Sequence, residues 1–372
     1  SALSSLNGAS AQVTAPDATP TDTSAYVDSS TPTPTLTPTN TPALTPTNTP
    51  ALTPTTKSVP TMPPTSPRST GGLPAHFLTG YWQNFADGAI PLRLSDVNSS
   101  YKLVAVAFAD AYPTTPGGVT FTLNAGLSSA LSGYTNDQFI SDIATLHARG
   151  QKVILSIGGG GGATLDVSSG TNATNFVNSV YNLMQSYGFD GVDIDLENNL
   201  DVSGMTSALQ HLSARVGSRL IITLAPQTID MQSTSSSYFQ LALNIKNILT
   251  LVNMQYYNSG TMYGCDQNIY TEGSEDFLTA LACIQLEGGL SPSQVSLGLP
   301  GSPAAASSGY VDPAVVNQAL GCLGLTSKQS CGSFVPPYNW SIASAMVWSI
   351  NVDASHGYPF ANTVGPYLKT LP

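Results

Sequence analysis

The ten residues FDGVDIDLEN, Phe189 to Asn198, place Asp190, Asp193, Asp195 and Glu197 within eight positions of a chain that is only 9% charged. Val192, Ile194 and Leu196 alternate with the last three acids. Side chains alternate across a β-strand, so Asp193, Asp195 and Glu197 share one face and the aliphatic residues share the other. A face that apolar belongs to a buried strand. Burying acids without partners is costly, so the acidic face should look into a space where charge has a use. Like charges stacked along one strand raise the pKa of at least one member. A shared proton and a protonated Glu197 at the end of the row would follow, and a protonated carboxyl is what a general acid needs. The pattern is also compatible with a solvated strand, or with a divalent-metal site built from oxygen ligands. Asp190 lies outside the alternation and is expected to shape the turn into the strand.

Outward from this stretch, seven further β-rich runs are spaced along the chain: 76–84, 102–110, 152–159, 219–227, 251–258, 294–301 and 344–353. Helical patterns fall between many of them, at 136–149, 172–187, 202–216, 238–250 and 274–287. Strand alternating with helix predicts a parallel α/β fold. Eight strands in about 300 residues predict a (β/α)8 TIM barrel, with 189–197 as its fourth strand. In such a barrel the aliphatic face packs against the helices, and the acid row climbs toward the C-terminal mouth. An open doubly wound sheet is the rival, and it would be expected to carry a nucleotide fingerprint. The glycine run 158–162 follows a strand but lacks the Lys-Ser/Thr of a phosphate loop and the acidic partner of a dinucleotide site.

Composition narrows the partners. The chain of 372 residues has 22 Asp and Glu against 11 Lys and Arg, a net charge of −11. Nucleic acid and anionic membranes both need a basic footprint, so neither is expected, and a neutral substrate fits. No apolar run approaches the ~20 residues of a membrane-spanning helix. Cys265, Cys283, Cys322 and Cys331 form two local pairs and predict disulfides 265–283 and 322–331, as in an exported protein. His76, His147, His211 and His356 are scattered, and no CxxC spacing occurs, so no metal site is expected. TPTNTPAL is repeated at 37–44 and 45–52 within a Thr/Pro-rich tract covering 31–72. Dense proline favours extended polyproline II and cannot build a core. This segment is expected to be a secreted linker, a candidate for O-glycosylation. Residues 1–30, rich in Ser, Ala and Thr, are expected to be a disordered tail or the remnant of an upstream module. A chain starting at Ser1 suggests a processed product whose export signal is gone. The expectation is a secreted monomer with a catalytic barrel at 73–372.

DGVDIDLE also resembles the DGxDxDxE signature of family 18 glycoside hydrolases, the chitinase family. SIGG at 156–159 resembles that family's third-strand SxGG motif. MQYYN at 254–258 resembles its sixth-strand Gln-x-Tyr-Asn/Asp pattern, and MVWS at 346–349 its terminal Trp strand. The resemblance covers about 73–372 in order and is closest to secreted bacterial chitinases. It implies a retaining, cofactor-free hydrolase acting on chitin or chitooligosaccharides. In this mechanism the sugar's own 2-acetamido group is the nucleophile. It implies Glu197 as general acid, Asp195 as the group orienting the acetamide, Asp193 as the residue sharing its proton, and Tyr257 as donor to the acetamide carbonyl. Gln255, Asn258, Trp348, Met346, Ser156, Tyr81 and Trp82 are candidates for the sugar cleft, although one of the adjacent pair Tyr81 and Trp82 must face the helices. Many relatives carry Asp where Asn258 stands, and close relatives tend to carry Trp where Val352 stands. Residues 302–343 leave room for a crossover helix but not for the α+β insertion of deep-cleft relatives, which suggests an open groove and endo-cleavage. The same acids would serve an endo-β-N-acetylglucosaminidase acting on N-glycan chitobiose cores. A chitin-binding lectin on this barrel would typically lack the acid at Glu197.

Overall fold

The computed structural model describes residues 71–161 and 164–372. The expected tail at 1–30 and almost all of the expected linker at 31–72 lie outside the described residues. Eight parallel strands form the centre: β1 (Phe77–Gln83), β2 (Tyr101–Ala111), β3 (Lys152–Gly158), β4 (Gly191–Asp195), β5 (Ile221–Leu224), β6 (Leu251–Gln255), β7 (Val295–Pro300) and β8 (Ser344–Trp348). Each pairs with its neighbours in sequence, and β1 pairs with both β2 and β8, so the sheet closes on itself. This is the (β/α)8 barrel that the spacing of the runs predicts.

Local chemistry explains why the alternation was readable. Helix 136–148 begins in a capping box between Thr135 and Gln138. Helix 170–187 starts on a Ser169 cap and stops at Gly188, whose φ of 88° suits glycine. Asp201 caps helix 202–216. Most boundaries differ from expectation by a few residues, and two differ by more. The helix expected over 238–250 runs only from Ser237 to Asn244. The strand expected to reach 353 ends at Trp348, because the Ser349 side chain caps a new helix, Ile350–Ser355. Val352 therefore sits buried on that helix rather than at a strand end. Both predicted disulfides are present, Cys265–Cys283 and Cys322–Cys331.

Strand alternation sorts the core into two bodies. Val192, Ile194 and Leu196 join an outer core between barrel and helices. Phe77, Leu103, Ile154, Ile221 and Leu251 fill the inside of the barrel near the strand N-termini. Two residues further along, the inward positions of β1, β3, β5 and β6 turn polar, as Thr79, Ser156, Thr223 and Asn253, and β4 adds Asp193 at the same level, all buried; on β2 the position is Ala105. The interior thus passes from an apolar plug to a polar layer beneath the mouth. Asp190, just before β4, accepts from the Val153 backbone N–H and pairs with Lys152 and His147, the structural place expected for it.

Gly191, the glycine of the opening stretch, is required by close approach. It lies opposite Ile221 in the β4–β5 register. A Cβ built there would stand 1.8 Å from the Ile221 carbonyl oxygen, which is backbone and cannot swing away. Gly191→Ala is therefore expected to destabilise the fold by at least about 1–3 kcal/mol. Thermal melts should show it well below Gly161→Ala, whose added methyl would meet nothing within 4 Å. Equal melting temperatures for the two variants would mean that β5 can yield to a methyl at 191.

Candidate active site

The acid row lies inside the barrel and rises to its C-terminal mouth. Asp193, at 0% exposure, is held from three strands. Its Oδ2 accepts from the Tyr81 hydroxyl on β1 at 2.8 Å and from Ser156 Oγ on β3 at 2.7 Å. Its Oδ1 accepts from Thr223 Oγ1 on β5 at 2.5 Å. Asp195, at 5% exposure, accepts at Oδ1 from Gln255 Nε2 on β6 at 3.0 Å. Glu197 stands two residues beyond the end of β4, with its side chain open to solvent at the rim.

Loss of solvation raises the pKa of all three carboxyls, fully for the enclosed Asp193 and Asp195 and only in part for Glu197 at the rim. For Asp193 the three hydrogen bonds oppose that rise. Asp195 is driven well above the ordinary range by burial and then by the charges of Asp193 and Glu197, with the Gln255 bond as the only opposing contact. The two aspartates titrate as a pair. Three donors favour charge on Asp193 and only one favours it on Asp195, so the shared proton belongs on Asp195. Glu197 is raised by burial and then by the charge of Asp230.

β6 and β8 supply the walls. Gln255 Nε2 also donates to the Ala225 carbonyl at 3.0 Å, which fixes the amide. Tyr257 follows on the same inward face, where the charges of Asp195, Glu197 and Asp193 all act on its hydroxyl. Trp348 ends β8 amid three aromatic rings. Phe108 stacks with it at 5.7 Å and 20°, while Tyr81 and Phe85 are tilted against it at 5.7 and 6.4 Å. Glycine at 159 admits the Phe108 ring, since a Cβ there would meet it at 2.7 Å.

Several expected sugar contacts take other places. Trp82 is 0% exposed, donates to the Leu92 carbonyl and packs on Phe139, so it belongs to the outer core and not to the cleft. Alternation had required one of the pair to turn outward, and Trp82 is that one. Tyr81 and Ser156 point inward, but both are buried and spend their hydroxyls on Asp193. Met346 also points inward, at 1% exposure, packed against Gly298; it shapes the interior and offers no surface. Asn258 Oδ1 accepts from the Ser307 and Ser308 backbone at 2.8 and 3.2 Å, so that oxygen anchors the segment after β7. Sequence reasoning missed Phe85, Phe108, Thr223 and Asp230. Thr223 was findable, because it occupies the inward parity of β5; Phe108 sits where the β2–β3 register shifts between Ala107 and Ala109, and Phe85 and Asp230 depend on how loops settle.

An eight-stranded barrel with a carboxylate row rising to its C-terminal mouth is the framework of a barrel hydrolase. The chain belongs to the glycosyl hydrolases family 18, whose sequence model matches residues 78–351. It is similar to a Streptomyces coelicolor protein whose crystal structure bears the name Chitinase A: 58% identity, 80% of this chain, 99% of that one and a TM-score of 0.77. It also resembles a family GH18 chitinase from Chromobacterium violaceum at 32% identity, covering 82% and 87% of the two chains with a TM-score of 0.71. Chitinase Chi52 of Paenibacillus xylanexedens is 31% identical over 82% of this chain. The chain spans 64% of the length of that relative and of Chitinase D from Niallia circulans.

The geometry around Asp193 yields a test. Tyr81→Phe removes one of three donors and leaves the ring beside Trp348 in place. Hydrogen bonds to charged groups contribute about 1.5–3 kcal/mol, so turnover should fall roughly ten- to hundredfold with melting little changed. Turnover equal to the parent would show that Asp193 does not need this bond.

Proposed function

We propose that this chain hydrolyses β-1,4 bonds between N-acetylglucosamine units, in chitin or chitooligosaccharides, with retention of anomeric configuration. The row Asp193, Asp195, Glu197, flanked by Gln255 and Tyr257 and closed by Trp348, carries this reading, and family membership supports it. Glu197, raised and solvent-facing, would protonate the glycosidic oxygen. The carbonyl oxygen of the substrate's 2-acetamido group would attack the anomeric carbon and form an oxazolinium ring. Asp195 would accept the acetamide N–H and orient the group, its proton passing to Asp193 as positive charge develops. Tyr257 would donate to the acetamide carbonyl. Trp348 would offer an indole face to the pyranose. Water would then open the ring with Glu197 acting as base.

The chain is taken to be secreted. Two disulfides fit an oxidising compartment, and among the described residues no helix is long and apolar enough to cross a membrane. The Thr/Pro-rich tract would tether the barrel to a further module. Residues 302–343 hold helix Pro313–Gly324 and a disulfide-tied segment, which favours an open groove and endo-cleavage.

Proton NMR of chitohexaose digestion, read in the first minutes, should show fresh β-anomer. Fresh α-anomer would mean inversion and would remove Asp195 from its role. Absence of cleavage would transfer the reading to N-glycan chitobiose cores. Glu197→Gln should lose about 10²- to 10⁴-fold in rate while still binding the oligosaccharide.

A further inference from the structure

Asp230 belongs to no motif in the sequence, yet the fold brings it to the mouth. It lies in the short turn Thr228–Met231 that follows β5. Gln227, just before the turn, bridges to Gln255 on β6. Thr228 Oγ1 donates to Ser259 Oγ at 2.8 Å, and Met231 is buried in the outer core. The next helix sends the Tyr238 hydroxyl to the Leu196 carbonyl at 2.9 Å, one residue before Glu197. The segment is thus fastened on one side to the strand bearing Gln255 and on the other to the backbone that presents Glu197.

Within this clamp the Asp230 carboxyl is partly buried. The Asp230 backbone N–H donates to the Gln227 carbonyl at 3.1 Å, and its carboxyl forms no ion pair among the described residues. A partly buried carboxyl without a cation is costly to keep for structure alone. The acid groups that act on one another here are Asp193 and Asp195 from β4, Glu197 just beyond it, Tyr257 from the end of β6, and Asp230 from the β5 turn. Tyr238 faces Asp195, Asp193 and Asp230. Among the described residues no lysine, arginine or histidine makes an ion pair with any of these acids. With the shared proton on Asp195, that carboxyl is neutral, and Asp230 is the negative charge left facing Glu197.

We propose that Asp230 is a positioning residue that keeps Glu197 in its acid form across the barrel mouth and thereby sets the upper pH limit of leaving-group protonation. The inference rests on Glu197 being the general acid. Removing a neighbouring negative charge makes it easier for Glu197 to lose its proton. In Asp230→Asn the alkaline limb of kcat/KM should therefore move to lower pH, and activity on that limb should fall several-fold. The loss should appear mainly in kcat rather than KM, because the charge acts on the proton and not on sugar binding. Asp230→Glu should restore the limb.

Carboxyl ¹³C NMR titration of Glu197 gives a readout independent of turnover. Its midpoint should be lower in Asp230→Asn than in the parent, with thermal melts confirming that both are folded. If Asp230→Asn does not fold, Asp230→Ser is titrated in its place. An unchanged Glu197 midpoint in either folded variant overturns the proposal. Should the parent fail to cleave chitohexaose, the functional reading falls, while the NMR titration still decides whether Asp230 governs the Glu197 proton.

Discussion

A single buried carboxylate, Asp193, organises this barrel. Burial disfavours its charge, and donors from three different strands offset that cost: Tyr81 from β1, Ser156 from β3 and Thr223 from β5. Those donors converge only if the sheet closes around β4. A flat sheet would leave Tyr81 far from Asp193, because β1 and β4 are not neighbours. Closure and charge therefore support each other. With Asp193 provided for, Asp195 becomes the natural holder of the shared proton, and Glu197 stands above a row that is already partly neutralised.

The interior below makes this arrangement sustainable. Phe77, Leu103, Ile154, Ile221 and Leu251 plug the N-terminal end of the barrel. Polar side chains occupy the next inward layer, so polarity increases toward solvent. Small residues maintain the close spacing. Gly158, with φ of 118°, lets β3 approach β4 so closely that a Cβ would stand 2.2 Å from the Asp195 carbonyl. The Gly159 N–H then donates to that same carbonyl at 2.8 Å. The backbone beneath the second acid is thus fastened before any side chain is considered.

The two sides of the mouth differ in chemistry. β1, β2 and β8 contribute Tyr81, Phe108 and Trp348, and the loop after β1 adds Phe85, an aromatic wall of the kind that suits the apolar faces of a sugar ring. The ends of β5 and β6 contribute Asp230, Gln255 and Tyr257, a polar wall suited to amide and proton. The proposed substrate, a neutral amide-bearing sugar, would suit such walls better than an anion, in keeping with the net charge of −11.

Alternation of acids with Val192, Ile194 and Leu196 was enough to place Asp193 and Asp195 on one inward face, because strand period is a local property; Glu197 lies past the strand end, exposed at the rim. Strand and helix spacing was enough for the barrel, and local cysteine pairing was enough for both disulfides. The sequence by itself could not choose which of Tyr81 and Trp82 turns inward, since neighbouring residues on a strand are equivalent until the sheet curves. It could not assign Ser156 and Tyr81 to Asp193 rather than to substrate, because those hydrogen bonds join residues 37 and 112 positions apart. Nor could it reveal Asp230, whose place depends on a turn held by Gln255, Ser259 and the buried Met231. Periodicity is written along the chain, whereas the partners of a buried charge are decided only when distant strands close around it.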